Sequence, residues 1–218
     1  MSYPALKRRL VAAMAGPLPG IAGQTRLAPR PRIGWRPEVT PDGCRHGGGL
    51  LLVYPRSDAA HVALTLREEG LQNHAGQVSL PGGAVEEGES LDRAALREAE
   101  EEIGVDPREV RLLGALSPLH VPVSQFVLHP WVGVAERRPE FRPDATEVAR
   151  ILEVPLAELA DPSRLAVETR RYSDQDVRVP FFRVEGEKVW GATAMVLAEF
   201  LDLLGAPPDP WRRDYGRP

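Results

Sequence analysis

The segment from Ser90 to Ile103 concentrates the side chains most able to do chemistry. Glu98, Glu101 and Glu102 recur there at three- and four-residue spacing. On a helix turning about 100° per residue the three carboxylates fall within an arc of ~100°, shared with Leu91, Ala94 and Ala95. Leu96, Ala99 and Ile103 form a second apolar stripe. Like charges at these spacings repel by roughly 0.2 to 0.5 kcal/mol per pair, and Arg97 offsets only part of that. A hard divalent cation reverses the balance, because Mg²⁺ prefers carboxylate oxygens and retains several waters. The alternative is an acidic helix face that is simply solvated.

The surrounding residues favour the cation. Gly83, Glu89, Arg97-Glu98, Ala99, Glu100, Glu101-Glu102, Ile103, Gly104 and Val105 stand at fixed intervals over 23 residues. This spacing resembles the Nudix box at every fixed position. The resemblance implies a Nudix-type α/β/α sandwich with a mixed β-sheet, in which a loop–helix–loop segment holds Mg²⁺ or Mn²⁺. It implies that Glu98, Glu101 and Glu102 ligate the metal, with the Gly83 carbonyl as a further ligand. Arg97 would hold the glutamates in place, and Glu89 would share that structural role. The cation would neutralise a diphosphate, orient it, and lower the pKa of a water that attacks phosphorus.

Upstream lie Leu64-Thr65-Leu66-Arg67 and His74-Ala75-Gly76-Gln77-Val78-Ser79-Leu80-Pro81-Gly82-Gly83. Downstream are Pro118-Leu119-His120-Val121-Pro122, Glu147-Val148, Val154-Pro155-Leu156, Val179-Pro180-Phe181-Phe182 and Trp190-Gly191-Ala192-Thr193-Ala194. Together they resemble the coenzyme A diphosphatases over about residues 45–204. That likeness implies cleavage of coenzyme A, or a derivative, to 3′,5′-ADP and a 4′-phosphopantetheine product. Another nucleoside diphosphate derivative, such as ADP-ribose or a dinucleotide, is the alternative. Gln72, Leu80 and Glu68 depart from the pattern, which has arginine, phenylalanine and a small residue there. The missing charge at Gln72 bears on recognition of the 3′-phosphate, and Arg67 is the first substitute for that contact.

Arg67, His74 and Gln77 are the candidate substrate-binding residues, although Arg67 equally suits a surface position and His74 a backbone-bonded loop. Glu147 is either a surface cap or, as the resemblance implies for a glutamate outside the box, a group that assists the metal or acts as base. Gly76 reads as a turn glycine with positive φ. Trp190, Phe181 and Phe182 read as core rather than as a stacking surface.

These residues need a scaffold, and turn signals and periodicity outline one. Residues 4–15 read as a helix, followed by a Pro- and Arg-rich connector to about Gly49. Leu50–Tyr54, His61–Arg67, Val78–Leu80, Arg111–Leu116, Phe126–Ala135 and Val177–Val184 read as strands. Ser90–Ile103 reads as a helix capped by Ser90 and stopped by Gly104, Leu156–Leu159 as a short helix, and Gly191–Leu204 as an amphipathic one. The expected organisation is an N-terminal helix and connector over residues 1–44 packed on a domain at 45–204, with an irregular tail at 205–218.

The net charge of −4 gives no bulk attraction to nucleic acid or anionic membrane. Residues 84–102 alone carry −6, so the acid is local. Lys7 and Lys188 are the only lysines and lie far from it, which leaves little for lysine-based covalent chemistry. Cys44 is the single cysteine, so no internal disulfide forms. No apolar run reaches the ~18 residues of a membrane span, and Met1–Leu10 lacks a secretory pattern. A cytoplasmic enzyme with a small-molecule nucleotide substrate and neither nucleic-acid nor membrane partners is expected, with a homodimer left open.

Overall fold

The computed structural model describes residues 2–32, 42–70, 75–172 and 174–211. Gln72 and His74 lie outside the described residues. Five helices are found among them: α1 (Tyr3–Met14), α2 (Gly20–Gln24), α3 (Leu91–Ile103), α4 (Leu156–Leu159) and α5 (Gly191–Leu203). The strands are β1 (Arg45–Arg56), β2 (Ala59–Arg67), β3 (Val78–Ser79), β4 (Gly82–Ala84), β5 (Val110–Ala115), β6 (Leu119–Val121), β7 (Phe126–Ala135), β8 (Val148–Pro155), β9 (Leu165–Tyr172), β10 (Gln175–Val184) and β11 (Glu187–Trp190).

The central sheet is mixed. Its main order is β3-β2-β1-β7-β5, with β4 also on β1, β6 on β7 and β8 on β2. β1 and β7 are parallel from Arg45 and Phe126 to Val53 and Val134, and the other pairs are antiparallel. A separate antiparallel sheet has the order β11-β10-β9.

The apolar run of β1 explains the layers. Side chains alternate across a strand, so Leu51 and Val53 join the core beneath α1 and α5 with Leu10, Leu197 and Phe200. Leu50, Leu52 and Tyr54 point to the other face and pack on Ala95, Ala99 and Ile103 of α3. Helices therefore cover both faces of a mixed sheet, the α/β sandwich expected above. Leu6 and Leu10 place α1 in the first core.

Three expectations need correction. β1 begins at Arg45, not Leu50, so Gly47-Gly48-Gly49 is strand rather than connector. Helix α5 is not amphipathic, because every residue from Thr193 to Leu201 is buried. It lies between α2 and the strands on either side, which leaves no solvent face; the buried Glu199 is satisfied by Gln24 Nε2 at 2.9 Å and Ser117 N at 3.1 Å. Finally, the structure adds β4, β6, β8, β9 and β11 to the strands that the sequence pattern outlines. β4, β6 and β11 are short, β9 has a single buried residue, and β8 interrupts its apolar pattern with Arg150 and Glu153.

Candidate functional site

Helix α3 is held where it is by its ends and by a missing side chain beneath it. Ser90 occupies the N-cap in extended conformation, but its hydroxyl makes no capping bond to the backbone. It bonds Asp92 instead, the main reason that the Asp92 carboxyl sits below its usual range. Gly104 ends the helix with φ +71°, the left-handed C-terminal stop expected of glycine. Along the contact with β1, a Cβ at Gly48 would lie 2.3 Å from the Leu91 carbonyl oxygen and 2.7 Å from the Ala95 nitrogen. Only glycine lets helix and strand approach this closely.

The acidic face then meets β4. The Gly83 Cα faces the Glu98 carboxylate so closely that a Cβ there would lie 2.4 Å from its carboxyl carbon. The Gly82 amide donates to Glu102 Oε2 at 3.3 Å. Arg97 organises the rest. Its Nε and Nη2 donate to the two oxygens of Glu89 at 3.0 and 3.1 Å, Nη1 donates to Glu98 Oε1 and Glu101 Oε2, both at 2.9 Å, and Nη2 also reaches the Ala84 carbonyl at 3.0 Å. Such charge-assisted bonds raise the Arg97 pKa and hold Glu89 below its usual range. Arg97 takes one oxygen from each of Glu98 and Glu101, so both keep a second.

The three glutamates share an arc but not a depth. The Glu102 side chain is 4% exposed, Glu98 17% and Glu101 58%. Burial raises the Glu98 pKa against the pull of Arg97. Burial raises Glu102 further, to about 7, against Arg67 and the Gly82 amide, while Glu98 and Glu147 add repulsion.

Arg67 reaches this cluster through an irregularity in the sheet. The β2–β8 register shifts between Leu66 and Arg67, with Arg150 opposite the first and Val148 opposite the second. A bulge of this kind re-aims the neighbouring side chain. Arg67 Nη1 lies 3.4 Å from Glu102 Oε1, and Nη2 lies 4.0 Å from the half-exposed Glu147. Its backbone nitrogen donates to the Gln77 carbonyl at 3.0 Å, which brings Gln77 alongside. Gly76 adopts φ +65°, as expected for the turn glycine. Arg67 therefore contacts the carboxylates themselves. The Gly83 carbonyl oxygen lies against Gly47 of β1. Phe181 and Phe182 are buried, and Trp190 packs its ring on the Arg170 guanidinium at 4.0 Å.

Among the described residues, no three acidic, histidine or cysteine side chains are already gathered as a cation cage. The donor set nonetheless suits a hard divalent ion, being all oxygen, with a buried carboxylate whose charge is unfavourable until a cation offsets it. The residues that would hold it are Glu98, Glu101 and Glu102, with the Gly83 carbonyl as the further candidate ligand.

The raised Glu102 pKa has a consequence for stability. Without metal, the folded protein retains the Glu102 proton up to about pH 7, whereas the unfolded chain releases it near 4.5. The folded state then binds more protons over this window, so stability falls as pH rises through it, by on the order of 3 kcal/mol. Metal-free wild type should lose more thermal stability between pH 4.5 and 7.5 than Glu102→Gln, as read by melting temperature. Parallel pH curves would exclude this cost.

Comparison with known proteins identifies the family. The family profile described as NUDIX domain matches residues 48–175. The "Uncharacterized Nudix hydrolase NudL" of Salmonella heidelberg (strain SL476) is 35% identical over 182 residues, 79% of this chain and 91% of that protein. Solved structures share the fold. The MutT/nudix family protein from Enterococcus faecalis has a TM-score of 0.51 and 16% identity, covering 82% of this chain and 69% of that one. The MutT protein from Methanosarcina mazei Go1 has a TM-score of 0.50 and 17% identity, covering 74% and 94%. No described helix is long and apolar enough to cross a membrane. The carboxylate-bearing helix, the glycine contacts that seat it and the matched profile together make this chain a member of the Nudix family, a hydrolase acting on the pyrophosphate bond of nucleoside diphosphate derivatives.

Proposed function

We propose that the protein hydrolyses the diphosphate bond of coenzyme A or a derivative, giving 3′,5′-ADP and a 4′-phosphopantetheine product, with Mg²⁺ or Mn²⁺ at Glu98, Glu101 and Glu102. The observation that carries the hydrolytic part is the Arg97-centred network, which keeps two glutamates beside the buried Glu102 and Gly83. A divalent cation bound there supplies charge neutralisation on the diphosphate and a lowered pKa for a water. Arg67 offsets phosphate charge from the Glu102 side. Glu147, half-exposed beside Arg67, is the residue best placed to accept a proton from a water at the cluster's rim.

The coenzyme A assignment rests on the segments that resemble the coenzyme A diphosphatases, two of which meet at β3. Thr193 of the Trp190–Ala194 segment donates its hydroxyl to the carbonyl of Val78, within the Gly76–Gly83 stretch, at 3.0 Å. The substitution of arginine by Gln72 favours a second reading, hydrolysis of ADP-ribose or a dinucleotide.

A panel of coenzyme A, dephospho-coenzyme A and ADP-ribose, with products identified by mass, separates the two. Coenzyme A should exceed dephospho-coenzyme A by about ten- to a hundredfold in kcat/KM, the worth of one charge-assisted phosphate contact. Because Arg67 touches Glu102, Arg67→Ala should slow both compounds alike and leave their ratio unchanged. Equal wild-type rates on the two would mean that the 3′-phosphate is not read, and faster ADP-ribose cleavage would favour the second reading.

A further inference from the structure

The last carbonyls of helix α3 have no partners within the helix, as at any helix C-terminus. A loop from elsewhere in the chain supplies them. The Arg142 amide donates to the Ile103 carbonyl at 2.8 Å, and the Asp144 amide donates to the Glu102 carbonyl at 2.9 Å. Gly104 permits this approach, since a Cβ there would lie 2.8 Å from the Arg142 Cβ and 3.1 Å from its backbone nitrogen. The loop is thus hung from the residue that carries the buried carboxylate of the cluster.

Asp144 passes that position on to Glu147. Its carbonyl accepts from the Glu147 amide at 3.1 Å and from the Val148 amide at 2.8 Å. Its Oδ1 accepts from the Thr146 amide and from the Thr146 hydroxyl, each at 2.8 Å. These two donors hold the Asp144 carboxyl below its usual range. On the far side the Glu68 amide donates to the Glu147 carbonyl at 2.9 Å, just past the β2 irregularity at Arg67.

Packing cannot fix Glu147, because every residue from Arg142 to Glu147 is exposed. Repulsion from Glu98 and Glu102 works against its place beside the cluster. An exposed stretch samples several backbone conformations unless local bonds select one, and an aspartate bonded to the residue two ahead does so.

We infer that Asp144 is a positioning residue: its turn with Thr146, hung from the Glu102 carbonyl, sets where the Glu147 carboxylate stands relative to the cluster. This rests on reading Glu147 as the group that accepts a proton from the water. Asp144 needs only an acceptor oxygen for the task, so its charge plays no part. Misplacing a catalytic group by about 1 Å costs on the order of a hundredfold, so a residue that touches no substrate can carry a large effect.

The test measures kcat and KM on the best-cleaved compound of the diphosphate panel, and Mn²⁺ affinity by calorimetry. The variants are Asp144→Asn, Asp144→Ser, Asp144→Ala, Glu147→Gln and the double variant Asp144→Ala with Glu147→Gln, with melting temperatures as the fold control. Glu147→Gln should lower kcat about a hundredfold or more. Asp144→Ala should lower it about ten- to a hundredfold, with KM and Mn²⁺ affinity within about twofold of wild type. Asp144→Asn keeps the acceptor and should stay within about threefold, while Asp144→Ser, a weaker turn former, should fall between. Added to Glu147→Gln, Asp144→Ala should cost less than about threefold more, because no base remains to be misplaced. Wild-type kcat in Asp144→Ala, a loss in Asp144→Asn as large as in Asp144→Ala, a full further loss in the double variant, or weakened Mn²⁺ binding would each overturn the inference and leave Glu147 as the base. Wild-type kcat in Glu147→Gln would instead overturn the reading of Glu147, and the inference with it. Should Asp144→Ala not fold, Asp144→Ser is read by the same criteria.

Discussion

Glu102→Gln should lower kcat by about 10³-fold or more while leaving the fold intact. The substitution keeps the volume and the ability to accept from the Gly82 amide, but removes the charge that the cation would share. Metal ions contribute several kcal/mol of transition-state stabilisation, and each 1.36 kcal/mol is a factor of about ten. Glu102 is also the least exposed of the three glutamates, so water cannot readily replace its missing charge. Glu100→Gln is the control. Glu100 is exposed and should change kcat less than about twofold. Purified variants assayed at saturating Mg²⁺ decide the matter, and equal losses at both positions would place the wrong face of α3 at the site.

The α3 helix and its chemistry were legible because several signals coincide. Helical spacing aligns Glu98, Glu101 and Glu102, while Gly104 supplies the left-handed stop and Gly83 leaves room for the Glu98 carboxylate. A helical wheel, however, conveys direction and not depth. It could not distinguish Glu102, tucked under Gly82 and Arg67, from Glu101 in solvent. The alternating faces of Leu50–Tyr54 likewise hide in an unbroken apolar run, since a strand buried on both sides shows no polar–apolar period.

Other features depend on contacts between distant segments. Gly47-Gly48-Gly49 suggests a loop by composition, and its role as strand appears only when α3 and β4 press against it. The turn of Arg67 toward Glu102 follows from a bulge opposite β8, a strand whose Arg150 and Glu153 obscure its apolar side. Helix α5 misled for the opposite reason. Glu199 and Thr193 suggest a polar face, but both are buried and bonded to Gln24, Ser117 and the Val78 carbonyl.

The central claim is that a divalent cation at Glu98, Glu101 and Glu102 is required to cleave a nucleoside diphosphate. Three clustered carboxylates, one of them pushed to about pKa 7 by burial, repel each other and cannot polarise a phosphate without a counter-charge. Chelated, metal-free protein should therefore show no turnover above background. Titration with Mg²⁺ or Mn²⁺ should restore it and should raise the melting temperature, because a ligand that binds only the folded state stabilises it. The most direct measurement is a metal titration of the chelated protein against coenzyme A, with 3′,5′-ADP and 4′-phosphopantetheine followed by mass. The account predicts zero product without metal and saturable recovery with it, abolished in Glu102→Gln. Full turnover in excess chelator by protein shown to hold no metal would contradict it.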